Sequence, residues 1–136
     1  MNILANLTSP LTGIAHWALR ITFAATFLFH GIDKVFNFGG FVGMMQGATV
    51  MAALVTFAEV AAGVGILLGG ILPLLGRVSL GDLATRLSGL AALPVGLGAI
   101  FIVHLANGFN IMAGGFEFAL MFTMIAAYFL IKGNEA

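Results

Sequence analysis

The stretch that decides the fold is Val50 to Pro73, VMAALVTFAEVAAGVGILLGGILP. A helix needs about 20 apolar residues to cross a bilayer. This run supplies that length with a single ionisable group, Glu59, set far from both ends. In lipid a backbone must satisfy its own hydrogen bonds, so a run this long points to a helix rather than a barrel strand.

The rest of the chain agrees. Its 136 residues are 61% hydrophobic and 7% charged, with a mean hydropathy of +1.14, whereas a soluble domain carries about 25% charged residues. Too little polar material is present to cover a water-facing surface. Apolar runs at roughly 14–36, 50–73, 87–107 and 115–132 predict four spans. The expected fold is all-α: an integral membrane four-helix bundle, one transmembrane domain over residues 1–136. The first 19 residues contain no Lys or Arg, and a cleaved signal begins with a basic region, so the first run is read as a permanent helix. A formal net charge of zero offers nothing to nucleic acid. Without cysteine the chain has no disulfide, thiolate metal site, iron–sulfur cluster or dithiol cycle. No metal site and no covalently bound cofactor is expected.

Between the first two runs lies GGFVGMMQG, Gly39–Gly47, glycine-rich and too short to span. LGRVSLGDLATR, Leu75–Arg86, reads as the second connection, with Asp82 placed to cap the third helix. NGFNIMAGG, Asn107–Gly115, is the third. Four spans put both termini on one side, together with Arg20, Arg77, Arg86 and Lys132, and leave Lys34 alone on the other. Basic residues accumulate on the cytoplasmic side. Both termini are therefore expected in the cytoplasm of a bacterial-type inner membrane, with the 37–49 and 107–115 loops outside. Gly65 with Gly69, and Ser88, Ala92 and Gly96, are small residues at helical spacing. They suit close helix packing, within the chain or against another subunit or a second copy. Pro94 is expected to kink the third helix.

This direction places most polar groups at one depth. His30, Asp33 and Lys34 fall in the outer third of the first helix, Glu59 in the outer half of the second, His104 in the last turn of the third, and Glu117 at the start of the fourth. The inner half reads as apolar apart from Arg20. His30, Asp33 and Lys34 are three and four residues apart, the spacing of a shared helix face, and Arg20, Phe23 and Phe27 extend that stripe. Arg20 and Lys34 lie about 21 Å apart along the axis, too far for one compact site. Each group has a plain alternative. Lys34 can snorkel to the interface, Asp33 can cap the helix end or pair with Lys34, His104 can be an interfacial histidine, and Glu117 suits a helix N-terminus. His16 beside Trp17 reads as an interface anchor. Glu59 has no such alternative: deep in an apolar run it takes a partner or a proton. Glu59, His30 and Asp33 are therefore the catalytic candidates. Arg20, His30, Lys34, Glu59, His104 and Glu117 are the ligand-binding candidates.

RITFAATFLFHGIDK, Arg20–Lys34, resembles the opening signature of DoxX-like membrane proteins: an arginine, an apolar stretch, then a glycine followed three residues later by a lysine. FAEVAAGVGILLG, Phe57–Gly69, is similar to the family's second helix, and GGFEFAL, Gly114–Leu120, to the start of its last. The resemblance implies a four-helix membrane protein related to the small subunit of thiosulfate:quinone oxidoreductase. It points at Arg20, Gly31, Lys34 and Glu59.

Two function classes follow. In the first, the chain is a subunit of a quinone-linked membrane redox complex: His30 or Lys34 donates hydrogen bonds to the quinone carbonyls, and Glu59 or Asp33 carries protons. In the second, it is a non-catalytic accessory or scaffold subunit whose polar cluster fixes helix register. A haem b between His30 and His104 and a small transporter or proton channel built on Glu59 are weaker readings.

Overall fold

The computed structural model describes residues 3–135, and no β-strand occurs among them. The α-helices are α1 (Ile3–Thr8), α2 (Thr12–Phe36), α3 (Phe38–Met44), α4 (Thr49–Ile71), α5 (Val78–Gly98) and α6 (Glu117–Lys132). A π-helical stretch, Ala99–His104, continues from α5. Three continuous helical stretches, Ile3–Phe36, Thr49–Leu75 and Val78–Asn107, are long and apolar enough to cross a membrane. With 16 residues, α6 is the shortest of the four long helices.

Two expectations about connections change. Helix α5 begins at Val78 rather than after Asp82, and Arg77 stands at its N-cap. Asp82 lies within the helix because Arg86, four residues on, draws it into an ion pair of 2.7 Å. Both charges are thereby satisfied on the helix surface, and the segment need not unwind to solvate them. The glycine-rich 37–49 loop also contains a helix, α3, whose Phe41 packs over the Lys34 ammonium at 5.0 Å.

Sequential long helices pack against each other antiparallel: Gly65 meets Ser88 and Gly69 meets Thr85 across α4 and α5, and Gly96 meets Thr123 across α5 and α6. Ala92 is fully buried in the same interface layer. Gly65, Gly69, Ser88, Ala92 and Gly96 thus all serve contacts inside the chain. At Gly69 even a methyl group would collide with the Thr85 hydroxyl, with the Thr85 backbone nitrogen 2.9 Å away. The helices approach closely there only because no side chain intervenes. Between α2 and α6 the opposite device operates. Phe23 stacks edge-on against Phe129 and Phe27 against Phe122, with ring centroids 5.9 and 6.5 Å apart, so aromatic bulk spans the wider gap. The resulting core is Phe23, Ala24, Phe27, Ala62, Ile66, Ala92, Ala126 and Phe129. Alanines 62, 92 and 126 are 0% exposed while Phe57 and Ile102 are 74% and 86% exposed. Small residues at the closest helix contacts and large apolar ones on the outer surface are the arrangement expected where the surroundings are lipid and packing, rather than water exclusion, holds helices together.

Candidate functional site

The core separates two polar clusters. At one end, Lys34 of α2 reaches Glu59 of α4 and donates to both carboxylate oxygens, at 2.8 and 2.7 Å. The two side chains are 17% and 8% exposed. Gly31, one turn before Lys34, lets α4 come near enough for this reach: a Cβ there would stand 2.8 Å from the Val60 side chain and 3.0 Å from its backbone nitrogen. Lys34 thus pairs with Glu59 and not with Asp33. The residues directly after these two, Val35 and Val60, line an outward-facing apolar groove with Phe38, Ala53, Thr56 and Phe57, about 390 Å³ in volume.

The neighbours divide. His30 and Asp33 are exposed on the flank of α2 and do not share the buried face. The inward stripe is Arg20, Ala24, Phe27 and Gly31, continued by half-buried Lys34. His30 and Asp33 each precede a stripe residue by one position, which turns them about 100° away at 3.6 residues per turn. His30 packs edge-on against Phe29, and Asp33 makes no side-chain hydrogen bond or ion pair among the described residues. His104 bonds through Nδ1 to the Gly114 carbonyl at 2.8 Å, and Glu117 accepts from the Ile111 N–H at 3.1 Å. These two brace the 105–117 connection. Among the described residues, no hydrogen bond joins them to Lys34 or Glu59.

The other end is more polar than expected. Arg20 is 1% exposed and its guanidinium is enclosed by neutral acceptors: the Ile66 carbonyl at 2.8 Å, Thr85 Oγ1 at 2.9 Å, Asn134 Oδ1 at 2.6 Å and His16 Nδ1 at 3.2 Å. The Phe129 ring lies 5.1 Å from the guanidinium carbon. Asn134 also accepts from the Thr85 hydroxyl, donates through its amide to the Gly69 carbonyl, and donates its backbone N–H to Asp82. Arg86 in turn donates to the carbonyls of Leu130, Ile131 and Lys132, the unpaired acceptors that end α6. Sequence reasoning missed Thr85, Asn134 and the polar role of His16. The one usable signal was the four-residue spacing of His16 and Arg20.

Arg20, Lys34 and Glu59 are thus placed by helix geometry at two ends of one bundle, each bound by groups of other helices. The model of the DoxX family matches residues 15–105, which hold all three. The chain belongs to the DoxX family. It is an integral membrane protein, and its family match contains α4, α5 and nearly all of α2, while α6 and Asn134 lie beyond the matched residues. No curated protein and no solved structure matches the chain.

Proposed function

We propose that this DoxX-family protein is a four-span subunit of a quinone-linked redox complex in a bacterial-type cytoplasmic membrane. In this reading α6 and its flanking turns form the fourth crossing, both termini face the cytoplasm, and the Lys34–Glu59 pair lies in the outer half. The orientation rests on Arg20, Arg77, Arg86 and Lys132 lying at the opposite end from Lys34.

The observation that carries the function is a buried ion pair whose chain neighbours, Val35 and Val60, line an apolar groove with Phe38, Ala53, Thr56 and Phe57. A quinone needs a dry surface for its tail, a hydrogen-bond donor for its carbonyl oxygens and a proton source. The groove offers the first and the Lys34 ammonium the second, while the Glu59 carboxylate, ionised in the pair, relays each of the two protons from water. Reduction to the quinol takes two electrons and two protons. The electrons come from a partner subunit's cofactor or from a soluble reductant, and this chain has no cysteine to hold an iron–sulfur cluster of its own. The test is quinone reduction by the complex isolated gently from its native membrane. Glu59→Gln keeps the hydrogen-bonding shape but cannot carry a proton at this site, and is expected to lower turnover at least tenfold while its partners still copurify.

The accessory-subunit reading is favoured by a different observation: no buried side-chain nitrogen or oxygen among the described residues lacks a hydrogen-bond partner. A self-satisfied pair is what a helix-register lock requires. In that case Glu59→Gln loosens the complex and leaves turnover per assembled complex unchanged.

A further inference from the structure

At the Arg20 end, α2 and α6 diverge around an open crevice of about 260 Å³ lined by Thr12, Ala15, His16, Leu19 and Tyr128. Three features of this crevice point the same way. First, His16 Nδ1 accepts from the Arg20 guanidinium at 3.2 Å. A nitrogen that accepts has no proton, so the imidazole proton stands on Nε2, which becomes a donor. Nε2 has no hydrogen-bond partner among the described residues. Second, the Tyr128 hydroxyl likewise has none, and the residue is 40% exposed. Third, the guanidinium behind His16 has no carboxylate partner: the ion pairs among the described residues are Lys34–Glu59 and Arg86–Asp82. This end carries Arg20, Arg77, Arg86 and Lys132 against Asp82 and Glu135, an excess of positive charge.

We infer that the α2–α6 crevice binds the phosphodiester of an anionic phospholipid, with His16 Nε2–H and the Tyr128 hydroxyl donating to its oxygens. The uncompensated Arg20 charge supplies the field, relayed through the imidazole it polarises. Ala15 and Leu19 give the acyl chains an apolar wall. Anionic headgroups are attracted by positive charge at the cytoplasmic ends of membrane helices, and this crevice adds two neutral donors to that attraction. Arg20 itself stays enclosed and does not touch the lipid. The inference does not rest on the quinone reading, since the crevice lies at the opposite end of α2 from Lys34 and Glu59.

The experiment uses the full chain in nanodiscs of phosphatidylcholine with a minor fraction of phosphatidylglycerol, followed by extraction into detergent and quantification of retained lipid. Wild type is expected to retain about one phosphatidylglycerol per chain, enriched at least fivefold over phosphatidylcholine relative to the nanodisc mixture. Leu19→Trp, which fills the crevice, should abolish the enrichment. Tyr128→Phe, which removes one exposed hydroxyl and disturbs no packing, should lower retention three- to tenfold. If Leu19→Trp loses its helical circular dichroism, Tyr128→Phe alone decides. Equal retention of the two lipids, or retention unchanged in Tyr128→Phe, would overturn the assignment. So would complete displacement of the lipid by millimolar inorganic phosphate, which would make the site one for a free anion.

Discussion

The two polar clusters solve the same problem in different ways. Lys34 and Glu59 are opposite charges that satisfy each other across one helix interface. Arg20 has no opposite charge and is satisfied by neutral acceptors from α2, α4, α5 and the turn after α6. A two-body pair can be removed as a unit at small cost, because beyond it Lys34 makes, among the described residues, only the Phe41 ring contact and a long bond to the His30 carbonyl. A cation that ties together four elements cannot, because its loss takes a hydrogen bond from the Ile66 carbonyl, Thr85, Asn134 and His16 at once. The lysine end is a separable pair, whereas the arginine end holds the helices in register.

The largest effect that would break this contrast lies at Arg20. Arg20→Met should destabilise the protein by about 3 kcal/mol or more in a detergent-unfolding titration, with no second-site apolar substitution restoring it. Lys34→Met should by itself cost about 3 kcal/mol, because it strands a buried carboxylate. Adding Glu59→Leu should bring stability back to within about 1 kcal/mol of wild type. A double variant as weak as the single would mean the pair is tied into the fold as firmly as Arg20. Gly69→Val sharpens the arginine side. Its side chain would drive α4 from Thr85, at about 2 kcal/mol by overpacking, whereas valine at exposed Gly39, which no atom crowds, should move the midpoint by less than about 0.5 kcal/mol. The smallest effect concerns α3. Phe41→Leu removes the ring over Lys34 and should shift stability by about 0.5 kcal/mol, read as faster hydrogen exchange across Phe38–Met44 with the rest of the chain unchanged.

The apolar interior between the clusters bears on the channel reading. Phe23, Phe27, Ile66 and Phe129 fill the layer between Arg20 and Lys34, and the buried hydroxyls nearest that depth, Ser88 and Thr123, donate to the carbonyls of Ala84 and Ala119 on their own helices. A continuous proton path from the Arg20 end to Glu59 would have to pass this aromatic layer.

How much was legible beforehand follows from the range of each interaction. The long apolar runs announced helices because hydrogen bonding within lipid leaves a backbone few options, and α2, α4 and α6 begin and end within a few residues of the expected positions. The start of α5 was misplaced because Arg77, Asp82 and Arg86 look like loop charges until Asp82 and Arg86 are seen to neutralise each other on one helix face. Glu59 announced itself as needing a partner, but the partner's identity depended on how closely Gly31 lets α2 and α4 approach. His30 and Asp33 shared the spacing of a common face with Lys34, yet the rotation of α2 about its axis turned both outward. Asn134 gave no signal at all, since a lone polar residue near a terminus reads as solvated until the tail folds back onto Gly69 and Arg20.

The order of residues by itself determined that this protein is helical and lies in a membrane, and it named the carboxylate and the cations whose burial would demand explanation. Hydropathy and length are properties of a segment alone, so they survive without knowledge of any neighbour. Only the tertiary structure decided which charge meets which, because helix rotation and the ångström-scale approach that glycine permits belong to pairs of helices and are written in no single one of them.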